Sequence, residues 1–194
     1  MQTDNGRSES RGATIDPRAF RDTLGLFTTG VAVIVTREGD EVHAMTASAV
    51  SSLSLEPPLV LFCPARRASL ARNLDRVGGF SINFLREEQH ALSSYFAGAW
   101  KAAAAPPFRF VSAAGAPRLE GALASLGCEV EEIFTGGDHL IVVGRVLALH
   151  RGIPPRRPLL FFGGEYRSIG AAAGQPAPDL TSVQDEPAHV FYME

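Results

Sequence analysis

Hydrophobic residues between positions 15 and 170 occur mainly in short runs and alternating patterns, which are typical of strands rather than long helices. Runs rich in β-branched and aromatic residues predict strands at 31–36, 41–48, 59–63, 80–85, 124–134 and 139–149. The turn sequences Glu38-Gly39-Asp40 and Thr135-Gly136-Gly137-Asp138 separate two pairs of these strands and predict antiparallel hairpins. Six or more strands with few helices favour a closed or nearly closed barrel of Greek-key type over a doubly wound sheet.

Three further segments show the spacing of apolar residues that is typical of an amphipathic helix. The first has Asp16 as an N-cap residue and Pro17 at the first helical position. Its apolar face consists of Phe20, Leu24 and Phe27. The other two helices, at 69–77 and 87–96, are predicted to cover the surface of the barrel.

Composition limits the size and organisation of the protein. The chain has 194 residues, of which 45% are hydrophobic and 20% are charged, so it can bury one good core in a single domain. We expect the folded domain to span residues 15–170. Residues 1–14 are polar and are expected to be disordered, whereas residues 171–194 are rich in Pro and Ala and are expected to form a loose tail.

Charge and apolar run length exclude several classes of partner. A net charge of −3 provides no basic face for a phosphate backbone or an anionic membrane, so we expect no binding to nucleic acid or to membranes. No apolar run approaches the length of a membrane span, and the first residues lack a hydrophobic signal core, so we expect a cytoplasmic protein. The spacing of Cys63 and Cys128 fits no metal site and predicts free, buried thiols.

A cluster of hydroxyl side chains begins at the end of the second predicted strand and continues towards the third. It consists of Thr46, Ser48, Ser51, Ser52 and Ser54. In a loop, short hydroxyl donors and backbone N–H groups can bind a phosphate or the polar edge of a planar ring. Alternatively, the hydroxyls only satisfy hydrogen bonds of the loop itself. The third strand ends in a second polar loop, containing Arg66 and Arg67, and two polar loops on connected strands can close on one ligand.

Several other catalytic patterns are absent from the sequence. There is no G-x-S-x-G elbow, no Rossmann or P-loop glycine motif and no H-x-x-x-H spacing, so we expect no serine hydrolase, no cradle of those two kinds and no metal site. A histidine at a hairpin turn, as at His139, is most often a structural or exposed turn residue. Its neighbour Asp138 either fixes the tautomer of the ring or terminates the turn, and the sequence leaves both interpretations open.

Five sequence motifs follow one another in a recognisable order along the chain. They are FRDTLGLFTTGVAVIVT, MTASAVSSLSLEPPLVLFCP, GGFSINFL, GGDHLIVVGRV and PLLFFGGEY. Together they resemble the short-chain flavin reductase family over nearly all of the domain. The resemblance implies an FMN-binding split β-barrel and a homodimer with the flavin near the subunit interface. It also implies hydride transfer from NADH or NADPH to FMN or FAD, with reduced flavin passed transiently to a separate monooxygenase component.

The resemblance also implies roles for individual residues. It places His139 beside the nicotinamide as the catalytic residue, where the ring stacks on the nucleotide or binds its carboxamide. It places flavin or nucleotide binding at Thr46, Ala47, Ser48, Ala49, Val50, Ser52, Cys63, Pro64, Ala65, Ser69, Phe162, Gly163, Gly164 and Tyr166. Small residues in this set let a flat ring lie close to the backbone, and hydroxyl and N–H groups can bind the ring atoms that gain charge on reduction. The residue types add that Arg67, or its neighbour Arg66, can pair with a phosphate; alternatively, both arginines lie in a solvated loop.

Two departures from the family pattern leave alternatives open. An ungapped alignment places Leu70, next to Ser69, where the family usually has Thr or Ser. Gly163 stands where related reductases often have a larger or charged residue, so the sequence does not decide between NADH and NADPH. The same fold also supports a barrel that sequesters flavin, or one that keeps FMN bound and reduces another acceptor.

Overall fold

The computed structural model describes residues 14–154 and 157–170. These residues form three α-helices and one 3-10 turn: α1 (Pro17–Leu24), α2 (Ser69–Val77), the 3-10 turn (Glu87–Gln89) and α3 (His90–Phe96). The helix predicted at 69–77 is confirmed, and the helix predicted at 87–96 begins as the 3-10 turn. The segments predicted to be disordered or loose lie outside the described residues, except for Thr14. No helix in the described part of the chain is long and apolar enough to cross a membrane.

The strands account for most of the remaining regular structure. In chain order they are β1 (Thr29–Gly30), β2 (Ala32–Glu38), β3 (Glu41–Ala47), β4 (Val50–Leu55), β5 (Pro58–Phe62), β6 (Gly79–Phe84), β7 (Phe110–Val111), β8 (Arg118–Leu119), β9 (Ala124–Gly136), β10 (His139–Arg151), β11 (Leu160–Phe162) and β12 (Glu165–Arg167). All six strands predicted from the sequence are confirmed, with small differences at their ends.

Seven strands form one antiparallel sheet in the order β3-β2-β6-β9-β10-β5-β4. The two edge strands, β3 and β4, are consecutive in the chain and are joined by Ser48 and Ala49. Ala47 at the end of β3 and Val50 at the start of β4 pack on the same core cluster, so the sheet curves and brings the ends of its two unpaired edge strands together at this junction. The predicted split barrel is confirmed, with its split between β3 and β4.

The strand β4 occupies a segment that the sequence analysis treats as a loop. Its residues pair with β5, and Ser52 lies opposite Val60. Because β4 has a neighbour on one side only, most of its residues stay exposed, and a polar sequence is compatible with the strand. The prediction of a polar loop is therefore wrong for Ser51, Ser52 and Ser54, which belong to this edge strand, whereas Thr46 lies in β3 and Ser48 lies at the junction.

The strand β2 is apolar at successive positions because both of its faces are buried. Ala32 and Ile34 belong to the core cluster inside the barrel, while Val33 and Val35 belong to a second cluster outside it. Successive residues of a strand point to opposite faces, which explains this division. The cluster inside the barrel also includes Phe62, Leu70, Leu74, Phe80, Ile82 and Val142.

The helix α1 has an exposed apolar face. The side-chain carboxylate of Asp16 accepts a hydrogen bond from the backbone N–H of Ala19 (2.9 Å), which confirms the predicted N-cap. None of the residues of α1 is buried, and Phe20 and Leu24 are 54% and 56% exposed. Phe27, one turn beyond, is 76% exposed. The amphipathic pattern therefore forms a helix whose apolar face stays open in the described part of the single chain.

Candidate functional site

A cleft of about 650 Å³ lies at the split of the barrel. One wall is formed by the junction of β3 and β4 and the end of β5. The other wall is formed by the end of α1 and the segment that leads through β1 into β2. The lining residues are Leu24, Phe27, Thr28, Thr29, Gly30, Ala32, Ser48, Ala49, Val50, Ser51, Leu61, Cys63 and Phe84.

Backbone hydrogen bonds hold the junction wall of this cleft. The N–H of Val50 donates to the C=O of Ser48 (3.0 Å), and the N–H of Cys63 donates to the C=O of Ala49 (3.1 Å). The junction is therefore fixed against the end of β5. Among the residues predicted to bind flavin, the structure brings together Ser48, Ala49, Val50 and Cys63 in this cleft.

The opposite wall contains residues that the sequence analysis did not assign to a site. Thr28, Thr29 and Gly30 follow α1, and Thr29 pairs with Phe161 of β11. A Cβ atom added at Gly30 would meet no atom within 4 Å, so open space reaches the backbone there. The only signal for these residues in the sequence is Thr-Thr-Gly after the helix, which does not reveal the distant strand that places them.

The hydroxyl residues of β4 differ in their relation to the cleft. Ser51 lines the cleft, and its Oγ donates to the C=O of Ser52 (3.0 Å). Ser52 lies at the next position of the strand and is not among the lining residues. The structure therefore brings Ser51 into the cleft, a member of the hydroxyl cluster that the resemblance did not assign to the flavin, and leaves Ser52, which it did assign, outside the cleft.

A smaller cavity of about 190 Å³ lies behind the junction. The hydroxyl of Thr46 donates to the C=O of Ser93 in α3 (2.7 Å), and the hydroxyl of Tyr166 donates to Oγ of the same serine (2.9 Å). Among the predicted residues, Thr46, Ala47, Ser48 and Tyr166 line this cavity. Ser48 lines both this cavity and the larger cleft. The hydrogen bonds from Thr46 and Tyr166 to Ser93 therefore stabilise the side of the junction that faces away from the cleft.

The loop after β5 is fastened to the turn between β9 and β10. Ala65 forms a β-bridge with His139, and the N–H of Leu140 donates to the C=O of Pro64 (2.9 Å). A surface cavity of about 400 Å³ at this contact is lined by Ala65, Arg66, Arg67, Asp138 and His139. The structure thus brings Arg67 and His139 together, whereas Ser69, at the start of α2, does not line this cavity.

Within this cavity, the carboxylate of Asp138 contacts the ring of His139. The distance from Oδ1 of Asp138 to Nδ1 of His139 is 2.8 Å. This hydrogen bond is the main reason why the pKa of Asp138 lies below its usual value, and the positive charge of Arg67 lowers the pKa further. The side chain of His139 is about half exposed, at 47%, so the rest of the ring is open to a ligand.

The predicted glycine pair lies at the turn between β11 and β12. Gly163 and Gly164 have φ of +59° and +83°, as a two-residue type I′ turn requires. The N–H of Gly163 donates to the C=O of Gly25 (2.8 Å), which fastens this turn to the end of α1. Both glycines line a cavity beside Arg18 and Arg21, and Phe162 precedes the turn on β11. The backbone conformation of the turn is therefore sufficient to explain why both residues are glycine.

The two cysteines have different surroundings. Cys128 is fully buried, and burial raises its pKa to about 12. Cys63 is partly exposed at the cleft, and burial raises its pKa as well. The prediction of buried thiols is therefore confirmed for Cys128 and wrong for Cys63. Among the described residues, no group of His, Cys, Asp or Glu side chains could hold a metal ion.

The cleft fits a flat, largely apolar ligand with a polar edge. Its volume is within the usual range for small-molecule sites, and Gly30, Ala32 and Ala49 allow close approach to the backbone. Ser48 and Ser51 line its wall, and the hydroxyl proton of Ser51 is already donated to the C=O of Ser52. None of the lining residues carries an ionised carboxylate, guanidinium or ammonium group, so the protein can bind and orient a ligand here but offers no strong acid or base.

Comparison with known proteins identifies the family. The model of the flavin reductase like domain matches residues 24–170. The chain belongs to this family.

The similarity to individual members of the flavin reductase like family extends over most of this chain. The reductase subunit of a flavin-dependent monooxygenase from Rhodococcus jostii is 40% identical over 170 residues, covering 84% of each chain. The structure of the flavin reductase PheA2 has a TM-score of 0.75 and 35% identity, covering 81% of this chain and all of the other. The NADH:FAD oxidoreductase of Streptomyces globisporus, in complex with NAD and FAD fragments, has a TM-score of 0.69 and 32% identity, covering 87% and 99%.

Proposed function

We propose that this chain is an NADH-dependent flavin reductase of the cytoplasm that supplies reduced FMN or FAD to a separate monooxygenase component. The observation that carries the proposal is the cleft at the split of the barrel, which is free of ionised side chains, in a member of the flavin reductase like family. A bound flavin supplies the hydride-accepting chemistry that the side chains lack. The names of the relatives, a monooxygenase reductase subunit and an NADH:FAD oxidoreductase, support this function.

The walls of the cleft are proposed to hold the isoalloxazine ring. Ser48, Ala49 and Val50 offer small side chains, a hydroxyl and backbone groups on one wall. Thr28 and Gly30 face the cleft from the other wall, where open space reaches the backbone of Gly30. Hydroxyl and N–H donors at the edge of a ring stabilise the negative charge that the ring gains on reduction.

The cavity lined by Ala65, Arg66, Arg67, Asp138 and His139 is proposed to bind the phosphate of the flavin. Cys63 lines the cleft and Ala65, two residues further on, lines the cavity with Arg66 and Arg67. A ligand with a ring and a phosphate can therefore extend along this loop from one space to the other. A guanidinium group binds phosphate by charge and by paired N–H donors, which favours Arg67 for this role. Ser69 and Ser52 are weaker candidates, because they line neither space.

His139 pairs with Ala65, which lies along the loop between Cys63 of the cleft and Arg67 of the cavity. The nicotinamide is therefore proposed to bind beside His139 and against the flavin ring, with the flavin phosphate at Arg67. The imidazole ring of His139 is half exposed, and backbone contacts to the loop after β5 fix the turn that carries it. The hairpin of β11 and β12 is proposed to border the rest of the nucleotide through Phe162, Gly163, Gly164 and Tyr166. In this arrangement the protein orients two rings for hydride transfer and contributes no general acid or base.

We further propose that the chain forms a homodimer through α1. Phe20 and Leu24 leave an apolar face open, and Leu24 together with Phe27 also lines the cleft. A contiguous exposed apolar patch of this kind is typical of an interface. A second copy covering this face would shield it from water and would also close one end of the flavin cleft.

Anaerobic oxidation of NADH or NADPH with excess FMN or FAD tests the proposed function. We expect rapid loss of the nicotinamide absorbance band with NADH, and one reduced flavin formed per NADH oxidised. Adding a flavin-dependent monooxygenase with its substrate and oxygen should then yield product from the reduced flavin that is released.

Other outcomes of this experiment separate the alternatives. Flavin binding without NADH or NADPH oxidation would instead indicate a barrel that sequesters flavin. Oxidation limited to one equivalent of tightly bound FMN, with no reduction of free flavin, would indicate a protein that reduces another acceptor.

A further inference from the structure

The contact between Asp138 and His139 constrains the protons of the imidazole ring. Oδ1 of Asp138 lies 2.8 Å from Nδ1 of His139. An ionised carboxylate only accepts hydrogen bonds, so Nδ1 must carry a proton in this contact. A neutral imidazole has a single N–H group. When the ring is neutral, Nε2 is therefore left with a free lone pair and acts as an acceptor.

The turn itself does not require the carboxylate of Asp138. Gly136 pairs with His139, so the turn consists of Gly137 and Asp138. Gly137 has φ of +67°, and no described residue other than glycine has a positive φ. A two-residue hairpin turn with a positive φ only at its first residue is of type II′, and its second residue needs no positive φ. Gly137 therefore accounts for the turn, and the carboxylate of Asp138 does not.

Backbone contacts fix the position of His139 independently of the carboxylate. The C=O of Asp138 accepts from the N–H of Arg66 (3.0 Å), and His139 forms a β-bridge with Ala65. The side chain of Asp138 is 95% exposed, so removing its charge disturbs no packing. Of the two structural interpretations, terminating the turn and orienting the ring, only the second involves the side chain.

We propose that Asp138 is a positioning residue that holds His139 in the Nδ1–H tautomer, so that Nε2 accepts a hydrogen bond from the carboxamide N–H of the nicotinamide. This inference rests on the proposed function, because it needs a dihydronicotinamide bound beside His139. The carboxamide has one donor end and one acceptor end, and a ring with a free lone pair selects the donor end. Asp138 thereby acts on the orientation of the nicotinamide and not on the transferred hydride.

Nitrogen-15 NMR of the His139 ring tests the tautomer directly. Spectra are recorded at increasing pH until the ring nitrogen shifts become constant, where the ring is neutral and the two tautomers have distinct nitrogen shifts. We expect Nδ1–H in the wild type and a shift of the population toward Nε2–H in Asp138→Asn, because an amide can donate to Nδ1 as well as accept. Nε2–H in the wild type, or an unchanged tautomer in Asp138→Asn, would overturn the proposal whether or not the protein reduces flavin.

Kinetics with a modified nucleotide test the consequence. In Asp138→Asn we expect KM for NADH to rise about fivefold to tenfold, as for the loss of one hydrogen bond, with kcat at saturation changed much less. An analogue with an acetyl group in place of the carboxamide lacks the N–H donor. The wild type should discriminate against it, and Asp138→Asn should lose most of that discrimination.

Two further variants separate positioning from a general effect of charge or stability. Glu132→Gln removes one negative charge from an exposed position on the same hairpin and should leave KM and the discrimination unchanged. Adding Asp138→Asn to His139→Ala should have no further effect, because a positioning residue acts only through the ring. Equal effects of Asp138→Asn with and without the His139 ring, or an effect of Glu132→Gln of the same size, would contradict the proposal.

Discussion

Cys63 is the residue of the cleft whose exposure can be followed by chemical labelling. It is partly exposed, while Cys128 is fully buried and its pKa is raised to about 12, so Cys128 stays a protonated thiol at pH 8. We expect an alkylating reagent to label one cysteine per native chain, identified as Cys63 by mass spectrometry. Excess FMN should slow this labelling in proportion to the bound fraction.

The unfolded protein provides the control for this experiment, because both cysteines should then be labelled. Labelling of Cys128 before Cys63 in the native protein would contradict the described burial. Labelling of Cys63 at the same rate with and without saturating FMN would contradict its place in the flavin cleft.

The ionisation of Asp138 is a second property at the residue scale. Its pKa is lowered mainly by the hydrogen bond from His139, with a contribution from Arg67. Because the folded pKa is below the unfolded one, the contact stabilises the fold above the unfolded pKa, and this stabilisation is lost as pH falls through the folded pKa. In a carbon-13 NMR titration, His139→Ala should raise the pKa of Asp138. A pKa that does not change in this variant would show that the hydrogen bond is absent in solution.

At the scale of elements, the hairpin of β11 and β12 depends on its contact with α3. The hydroxyl of Tyr166 donates to Oγ of Ser93, and the ring of Tyr166 lies against Phe161 with 5.9 Å between ring centroids. The hydroxyl of Tyr166 also lies 3.3 Å from Oγ of Ser94. Tyr166→Phe removes both contacts and should lower the free energy of unfolding by about 1–2 kcal/mol, measured by urea denaturation. Tyr95→Phe is a matched control, because the described residues offer no hydrogen-bond partner to the Tyr95 hydroxyl, and its effect should be near zero. An equal loss in both variants would contradict this role of Tyr166.

The elements also show which parts of the fold can be predicted from the sequence. The hairpins of β2 with β3 and of β9 with β10 are predictable because short runs rich in β-branched residues and the turn glycines lie next to each other in the chain. The strand β4 is not, because an edge strand tolerates the polar residues that are also typical of a loop. The residues Thr28–Gly30 could not be assigned to the cleft, since β1 is placed by pairing with the distant β11.

The candidate site also contains some residues that can be predicted from the sequence and others that cannot. The junction residues Ser48 and Ala49 line a cleft, and they could be proposed as binding residues from the sequence because small and hydroxyl side chains occur together there. The sequence could not show that Thr46 turns its hydroxyl to Ser93 and that Ser51 rather than Ser52 lines the cleft. These details depend on the register of β4 with β5 and on the position of α3, which only the folded chain defines.

At the scale of the whole molecule, the exposed face of α1 predicts the oligomeric state. Phe20→Asp should convert the dimer to a monomer by raising the dissociation constant at least about a hundredfold, because burying an unpaired carboxylate costs several kcal/mol. Analytical ultracentrifugation at micromolar concentration measures this change. Arg18→Asp places the same carboxylate on the opposite face of α1 and should leave the dimer intact. A monomeric wild type would contradict the proposed dimer, and so would a dimeric Phe20→Asp variant.

The central claim is that the flavin ring occupies the cleft at the split of the barrel, and FMN binding to Gly30→Val tests it most directly. Gly30 lines the cleft with open space at its Cβ position, and its φ is not positive, so valine fits the fold and fills only the cleft. Gly170→Val is the matched control, because Gly170 also has open space and ordinary φ but lies outside the cleft.

In a fluorescence titration with FMN, Gly30→Val should bind roughly tenfold to a hundredfold more weakly than the wild type, since extra methyl groups in an occupied site cost about 1–3 kcal/mol. Gly170→Val should bind as the wild type does, and all three proteins should unfold at similar temperatures. Wild-type affinity for FMN in a folded Gly30→Val variant would contradict the claim that the ring lies in this cleft.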